Sequence, residues 1–281
     1  MTKARNDCRS AVILVAAALI VVSTVTGCGS LQISGRPSKQ AKALRVGVTP
    51  NYPPIIYRQD GKIAGLEAEL AWSLAQHMGR RLQFVAVKWE QQIPALLSGK
   101  IDIIMSGMTI TPAREVRIKF SEPYLQTGLM AAVRPGHEDR YPDRQAITQT
   151  YANIGAMGGT TATSFIRRQC PNAKASYVSD LTEAYLALDG RRIDLFIHDA
   201  PAVAWLVSKY ESTVKPLWIP LTEDHLAWGI RGGNTKLIIE ANDALAKWKQ
   251  DGTLEIIIDR WLPYRPDVRQ AYPEALIIPD A

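Results

Sequence analysis

The stretch GLEAELAWSLAQHMGRRLQFVAV, residues 65–87, carries the pattern that decides the fold. Apolar leucine and methionine side chains recur at every fourth position across residues 70–78, which predicts a helix over residues 67–78. Gly79 ends this helix, and the apolar run at 82–87 predicts a β-strand. A helix followed at once by a strand is the repeating unit of α/β folds.

The same alternation runs along the rest of the chain in two series, separated by a polar stretch that contains Gly136 and Pro142. The pattern predicts further strands at 44–48, 101–105, 129–133, 153–157, 175–178, 193–197 and 226–231. It predicts further helices at 91–97, 161–168, from 181 after an Asp180 cap, 201–207, 237–250 and 253–261. We therefore expect two similar α/β halves with largely parallel sheets.

Composition excludes two other classes of protein. With 281 residues, 47% hydrophobic and 21% charged, the chain is too apolar for a disordered protein. The net charge is only +6, and the arginines occur as isolated pairs without interleaved aromatic residues. The sequence therefore gives no support for a nucleic-acid partner.

The first 28 residues have the pattern of an export signal. Basic residues precede an apolar run at 11–22, which is too short to span a bilayer comfortably. The tetrapeptide VTGC at 25–28 then looks like a bacterial lipobox, in which Cys28 receives lipid and becomes the new N-terminus. This predicts a signal peptide at 1–27, a lipidated tether at 28–43 and an extracytoplasmic protein held at a membrane by lipid. An uncleaved anchor or a plain secretory signal is the alternative.

The remaining cysteine and the histidines do not suggest a metal site or a redox site. Once residue 28 is acylated, Cys170 is alone in the exported body, and we interpret it as a structural residue. The four histidines are scattered without the paired spacing of metal ligands. The sequence has no phosphate-binding loop of the Gly-x4-Gly-Lys-Ser/Thr type, so we expect neither a metal nor a cofactor.

A series of short motifs follows the predicted strands and helices in order. They are LRVGVTPNYPP (44–54), DG (60–61), GLEAELA (65–71), W (89), IPALLSGKID (93–102), SGMTITPAR (106–114), FSEPY (120–124), GGTT (158–161), ID with HD (193–199) and DGTL (251–254). In this order and spacing, residues 44–263 resemble the bacterial extracellular solute-binding proteins of family 3, the polar amino-acid receptors of ABC transporters. Ala68 and Ala113 depart from the residues that the family prefers at those positions.

The resemblance implies a two-lobed periplasmic-binding-protein fold of type II, with two hinge strands and a ligand cleft between the lobes. Lobe 1 would combine residues 44–130 with 230–264, and lobe 2 would span 131–229. The hinge strands would be 129–133 and 226–231, and residues 265–281 would form a C-terminal tail.

A zwitterionic amino acid needs a cation for its carboxylate and an acceptor for its ammonium. Arg114 can hold a carboxylate through two parallel hydrogen bonds and resembles the family's carboxylate clamp. The alternative is a solvated arginine at a helix start. By the same resemblance Thr109 faces the ligand, and Gly107 allows close approach of the main chain.

The second lobe supplies the other predicted contacts. Thr160 and Thr161 lead into a helix whose N-terminus favours an anion, although taken alone they are a turn and a cap. Asp199 follows an apolar strand and resembles the family's ammonium acceptor, with a helix N-cap as the alternative. His198 fits either a ligand contact or a packing role.

Two aromatic residues, Tyr52 and Trp89, match positions whose rings cover the ligand side chain. Trp228, beside the second predicted hinge, is open to a packing or a site role. Thr49 stands where several receptors for basic amino acids and glutamine carry an acid, which disfavours a cationic ligand. We expect a polar or aromatic α-amino acid.

The function implied by the resemblance is a monomeric receptor without enzymatic activity. It would close on an amino acid and deliver it to an ABC transporter permease with its ATPase. Two alternatives remain: a cyclohexadienyl dehydratase, which has the same fold, and a lipid-anchored sensor. The segment after Asp199 has no glutamate that could act as a general acid, which disfavours the dehydratase.

Overall fold

The computed structural model describes residues 42–264. The predicted signal peptide, the lipidated Cys28, nearly all of the tether and the C-terminal tail lie outside the described residues.

The described chain alternates strands with helices. Its strands are β1 Ala43–Val48, β2 Asn51–Tyr52, β3 Ile56–Gln59, β4 Lys62–Ala64, β5 Arg81–Ala86, β6 Ile103–Ile104, β7 Lys119–Phe120, β8 Leu125–Thr127, β9 Leu129–Val133, β10 Asn153–Met157, β11 Lys174–Val178, β12 Leu195–Asp199, β13 Lys215–Leu217, β14 Asp224–Leu226 and β15 Gly229–Ile230. Its helices are α1 Leu66–His77, α2 Gln92–Leu97, α3 Pro112–Glu115, α4 Arg144–Thr148, α5 Thr161–Gln169, α6 Leu181–Asp189, α7 Ala200–Lys209, α8 Thr235–Gln250 and α9 Thr253–Trp261.

Two five-stranded sheets form the frames of two lobes. The first has the order β5-β1-β6-β15-β7, and the second has the order β11-β10-β12-β9-β13. In each sheet three adjacent strands run parallel, a fourth strand pairs antiparallel with the last of them, and the fifth pairs antiparallel with the fourth. Their central strands are buried, as expected where helices cover both faces. The two halves predicted from the sequence are therefore built on the same plan.

A two-stranded ribbon of β8 and β14 connects the sheets, and this corrects the predicted hinges. Leu129–Val133 is itself a strand of the second sheet, and Gly229–Ile230 belongs to the first. The stretch predicted as one strand at 226–231 is broken between β14 and β15. Both runs are apolar because most of their residues are buried, whereas the chain crosses between the sheets at Leu125–Thr127 and Asp224–Leu226.

Most other predicted elements lie within one to two residues of those observed. The strand Asn153–Met157 and the helix Thr253–Trp261 match the predictions residue for residue. The Asp180 carboxylate accepts a hydrogen bond from Glu183 N at 2.9 Å and caps α6, as predicted. The three-stranded meander of β2, β3 and β4 was not predicted, because its strands are short and polar.

The core decides the role of Trp228, which the sequence left open, and agrees with the interpretation of Cys170. Trp228 is fully buried and packs with Tyr124 and Trp248 in the main hydrophobic cluster, so it is a packing residue. Cys170 is a buried free thiol in the core of the second lobe, which confirms its structural role. Between residues 42 and 264, no helix combines the length and the apolar character that crossing a membrane requires.

Candidate ligand-binding cleft

A cavity of about 400 Å³ lies between the two sheets. Its wall contains all the predicted ligand-binding residues, namely Tyr52, Trp89, Gly107, Thr109, Arg114, Thr160, Thr161 and Asp199. It also contains residues that were not singled out as ligand contacts, among them Asn51, Ser106, Met157, Val178 and Ser179. Both lobes therefore contribute to one site of the size of a small molecule.

Arg114 is held rigidly in the first lobe. It lies in α3, whose start is fixed by the Thr111 side chain and by a proline in the first turn. Its Nη1 donates to Thr109 O at 2.7 Å, and its guanidinium lies 5.3 Å from the centre of the Trp89 ring. Burial lowers the pKa of Arg114, yet arginine stays protonated in proteins. The site therefore holds a fixed, partly desolvated cation that can take a carboxylate.

Asp199 provides the opposite charge from the second lobe. It ends β12 and is only 5% exposed. Burial raises its pKa to about 6, while the hydrogen bond from Tyr52 and the charge of Arg114 lower it. Although it precedes α7, its side chain makes no capping hydrogen bond to that helix. The carboxylate is thus turned into the cavity instead of acting as a cap.

Tyr52 joins the lobes at this carboxylate. Its hydroxyl donates to Asp199 Oδ2 at 2.8 Å, so the side chain is more than an aromatic cover. His198 packs beside it, with ring centres 4.8 Å apart. Burial lowers the pKa of His198 to about 4, and its Nδ1 accepts from Asp199 N at 2.7 Å. His198 is therefore a neutral wall residue that is hydrogen-bonded to the main chain of Asp199.

The N-terminus of α5 faces the same cavity. Thr160 makes no side-chain cap, because its hydroxyl donates to Met157 O at 2.7 Å. A carboxylate at this end of the helix could accept hydrogen bonds from main-chain N–H groups and would be favoured by the helix dipole.

Two further hydrogen bonds cross the cleft. Trp89 Nε1 donates to Gly159 O at 2.9 Å, and Asn51 Nδ2 donates to Ser179 O at 3.1 Å. The sequence could not reveal these contacts, since Asn51 lies in the two-residue strand β2 and Ser179 in the bend after β11, and neither has a distinctive local pattern. Asp224 was also missed: it lies in the connecting ribbon, where its charge acts on Arg114.

Thr49 presents little hydrogen-bonding capacity to a ligand. Its hydroxyl donates to Val87 O at 2.9 Å and accepts from Gln92 Nε2 at 2.9 Å. Apart from Arg114 and Asp199, the charged residues of the wall are Lys88 and Glu90, and both are exposed. The buried part of the cavity beyond the two anchor residues is thus uncharged.

Two similar lobes and a shared cavity between them define a periplasmic binding protein of type II. The sequence pattern of the bacterial extracellular solute-binding proteins, family 3, matches residues 44–264. The chain belongs to this family.

Individual relatives agree with this assignment. The chain is 29% identical to the L-cystine-binding protein TcyJ of Escherichia coli over 224 residues, which cover 79% of this chain and 84% of that protein. The structure of a putative binding component of an ABC transporter from Wolinella succinogenes, complexed with lysine, superposes with a TM-score of 0.74 and 31% identity over 78% of this chain and 95% of that one. AncCDT-1, an ancestral amino acid-binding protein described as a precursor of cyclohexadienyl dehydratase, superposes with a TM-score of 0.73 and 31% identity over 78% and 95% of the two chains.

Proposed function

We propose that the protein binds a polar α-amino acid in the cleft and delivers it to an ABC transporter. One observation carries the proposal: a fixed arginine and a buried aspartate, from opposite lobes, face one small cavity. Arg114 and the N-terminus of α5 take the carboxylate, and Asp199 takes the ammonium. The cystine and lysine named for the relatives are α-amino acids with these two groups.

The ligand side chain is neutral in this proposal. The buried lining beyond the anchor residues is apolar or carries uncharged polar groups, and a charged side chain would lose solvation there without a partner. Trp89 and Tyr52 supply flat surfaces for packing. We therefore rank glutamine and other amino acids with a neutral polar side chain above arginine and lysine.

Binding would act by population shift. A ligand that contacts both lobes favours the closed form by its differential affinity, and a permease with its ATPase then recognises that form. We further propose that the protein works as a monomer outside the cytoplasm, attached to the membrane through lipid on Cys28.

A ligand screen tests this function. Residues 29–281 would be titrated with the common amino acids, cystine, prephenate and arogenate, with thermal unfolding and calorimetry as readouts. A ligand at 100 times its Kd stabilises the fold by about 2.7 kcal/mol. We expect a neutral polar amino acid to bind, and Arg114→Ala and Asp199→Ala to abolish binding. The exposed Arg117→Ala and Asp189→Ala serve as matched controls that keep it. Binding that survives both anchor substitutions would contradict the proposal.

The second candidate is a dehydratase, which the description of AncCDT-1 brings into consideration. Residues 200–203, which follow Asp199, carry no carboxyl group that could act as a general acid. We therefore propose that the protein is not an enzyme. Consumption of prephenate or arogenate by the native protein, lost in Asp199→Ala, would establish the dehydratase instead.

A further inference from the structure

Glu67 is a fully buried acid that contacts a residue of the cavity wall without lining the cavity itself. It lies in the first turn of α1, which is tied to the preceding segment by Glu67 N donating to Ile55 O at 2.9 Å. Its Oε2 accepts a hydrogen bond from Gly107 N at 2.6 Å. Gly107 is one of the residues that line the cavity, whereas Glu67 is not.

The main chain at Gly107 needs an accurate position. Its φ is +65°, and a Cβ built there would lie 2.5 Å from Tyr52 Cε1. The loop is therefore in close contact with the ring of Tyr52, whose hydroxyl donates a hydrogen bond to Asp199. Two residues further on, Thr109 O accepts from the Arg114 guanidinium. A small shift of this loop would displace the Tyr52 ring and the main-chain acceptor of Arg114.

We propose that Glu67 is a positioning residue for the ligand cavity: its carboxyl group fixes the main chain of Gly107 against the Tyr52 ring, and it does so in the protonated, neutral form. The proposal rests on the proposed function, because ligand affinity is one of its readouts.

The surroundings of Glu67 support the neutral form. The titratable group beside it is Tyr124, on the segment before β8, and beyond Tyr124 lie Tyr52 on β2 and Asp199 on β12. No cation contributes to the Glu67 environment among the described residues. Oε1 of Glu67 and the Tyr124 hydroxyl have no well-formed hydrogen bond to a described residue, so a proton on Oε1 can be shared between them. Burial raises the pKa of Glu67 to about 8, which agrees with a carboxyl group that is protonated at neutral pH.

Three variants test the role. Glu67→Ala leaves the buried Gly107 N–H without its acceptor, and we expect an affinity about tenfold weaker or worse for the tightest-binding amino acid of the screen. Glu67→Gln keeps an acceptor for Gly107 and a donor toward Tyr124 without a charge, so it should bind within about twofold of native. Glu69→Ala is the matched control in the same helix turn. It removes contacts with Arg260 and Trp261 and should lower the melting temperature without changing Kd.

Two readouts need no ligand. Hydrogen exchange across residues 106–109 should become faster in Glu67→Ala and stay native in Glu69→Ala. The unfolded chain releases the Glu67 proton near pH 4.5 and the folded chain releases it near pH 8, so the stability of the native protein should fall relative to Glu67→Gln across this window and level off above it.

The outcomes separate the two proposals. If Glu67→Ala binds the amino acid with native affinity and shows native hydrogen exchange across residues 106–109, the positioning role is overturned. The proposed function would still stand in that case, because the amino acid binds. Equal pH dependence of native and Glu67→Gln stability, or loss of affinity in Glu67→Gln, would overturn the neutral form. If no amino acid binds the native protein, the proposed function fails, and the exchange of residues 106–109 still decides whether Glu67 holds the loop.

Discussion

At the level of single residues, Asp199 makes ligand binding sensitive to acid. The ammonium of an amino acid needs the ionised carboxylate, and the pKa of Asp199 is raised to about 6 by burial. Protons should therefore compete with the ligand below pH 6, weakening affinity by at most about tenfold per pH unit. Calorimetric titration between pH 5 and 7.5 measures the effect. A Kd that is constant across this range would contradict the role of Asp199.

The Tyr52 hydroxyl should set where this acid sensitivity begins. Its hydrogen bond lowers the pKa of Asp199, so Tyr52→Phe should raise that pKa further and move the loss of affinity to higher pH. At pH 8, where the Asp199 carboxylate is ionised in both proteins, Tyr52→Phe and the native protein should differ less in affinity than they do at lower pH. Tyr177→Phe, at an exposed tyrosine of the second lobe, is the control. An unshifted pH profile in Tyr52→Phe would count against the contact.

How far the sequence predicts the site depends on the kind of residue. Arg114 and Asp199 could be proposed because their charges match a zwitterion and their motifs resemble a family. The role of Glu67 could not be predicted beyond its place in such a motif, because nothing in a helical pattern shows that an acidic position is fully buried. Asn51 and Ser179 meet across the cleft, and a contact between residues 128 positions apart leaves no local signal.

Among the structural elements, the Gly107 loop offers a direct test of close packing. Gly107→Ala should lose affinity because its Cβ would collide with the Tyr52 ring, in addition to about 1–2 kcal/mol of strain from a left-handed backbone. Gly136 has φ of +77° and no atom within 4 Å of a built Cβ. Gly136→Ala should therefore show the strain alone, with native affinity. Chemical denaturation and titration of both variants separate the two effects.

The elements themselves were predictable where an apolar face repeats. Helix α1 and strands β1 and β10 each carry a sustained pattern and lie where the sequence placed them. The hinges were predicted at the wrong residues. The ribbon of β8 and β14 that connects the sheets pairs polar residues with one another, and this pairing gives no apolar periodicity. Hydrophobic patterning finds the sheets of this molecule more readily than the connections between them.

For the whole molecule, the hydrogen bonds that cross the cleft should govern the rate at which a ligand dissociates. Trp89→Phe keeps a ring beneath Arg114 but removes the donor to Gly159 O. One hydrogen bond is worth about 0.5–1.5 kcal/mol, so we expect dissociation about two- to tenfold faster and little change in association. Stopped-flow measurements test this, with the exposed Trp72→Phe as control. Slower association alone would place Trp89 in ligand entry instead of closure.

The strand order of the two sheets also bears on how the chain is made. The second sheet takes all its strands from one continuous segment, between β9 and β13, whereas the first needs β15 from beyond that segment. During synthesis from the N-terminus, the second lobe can therefore complete its sheet while the first still lacks a strand beside β6. The lobe that begins to emerge first from the ribosome is thus the last to complete its sheet.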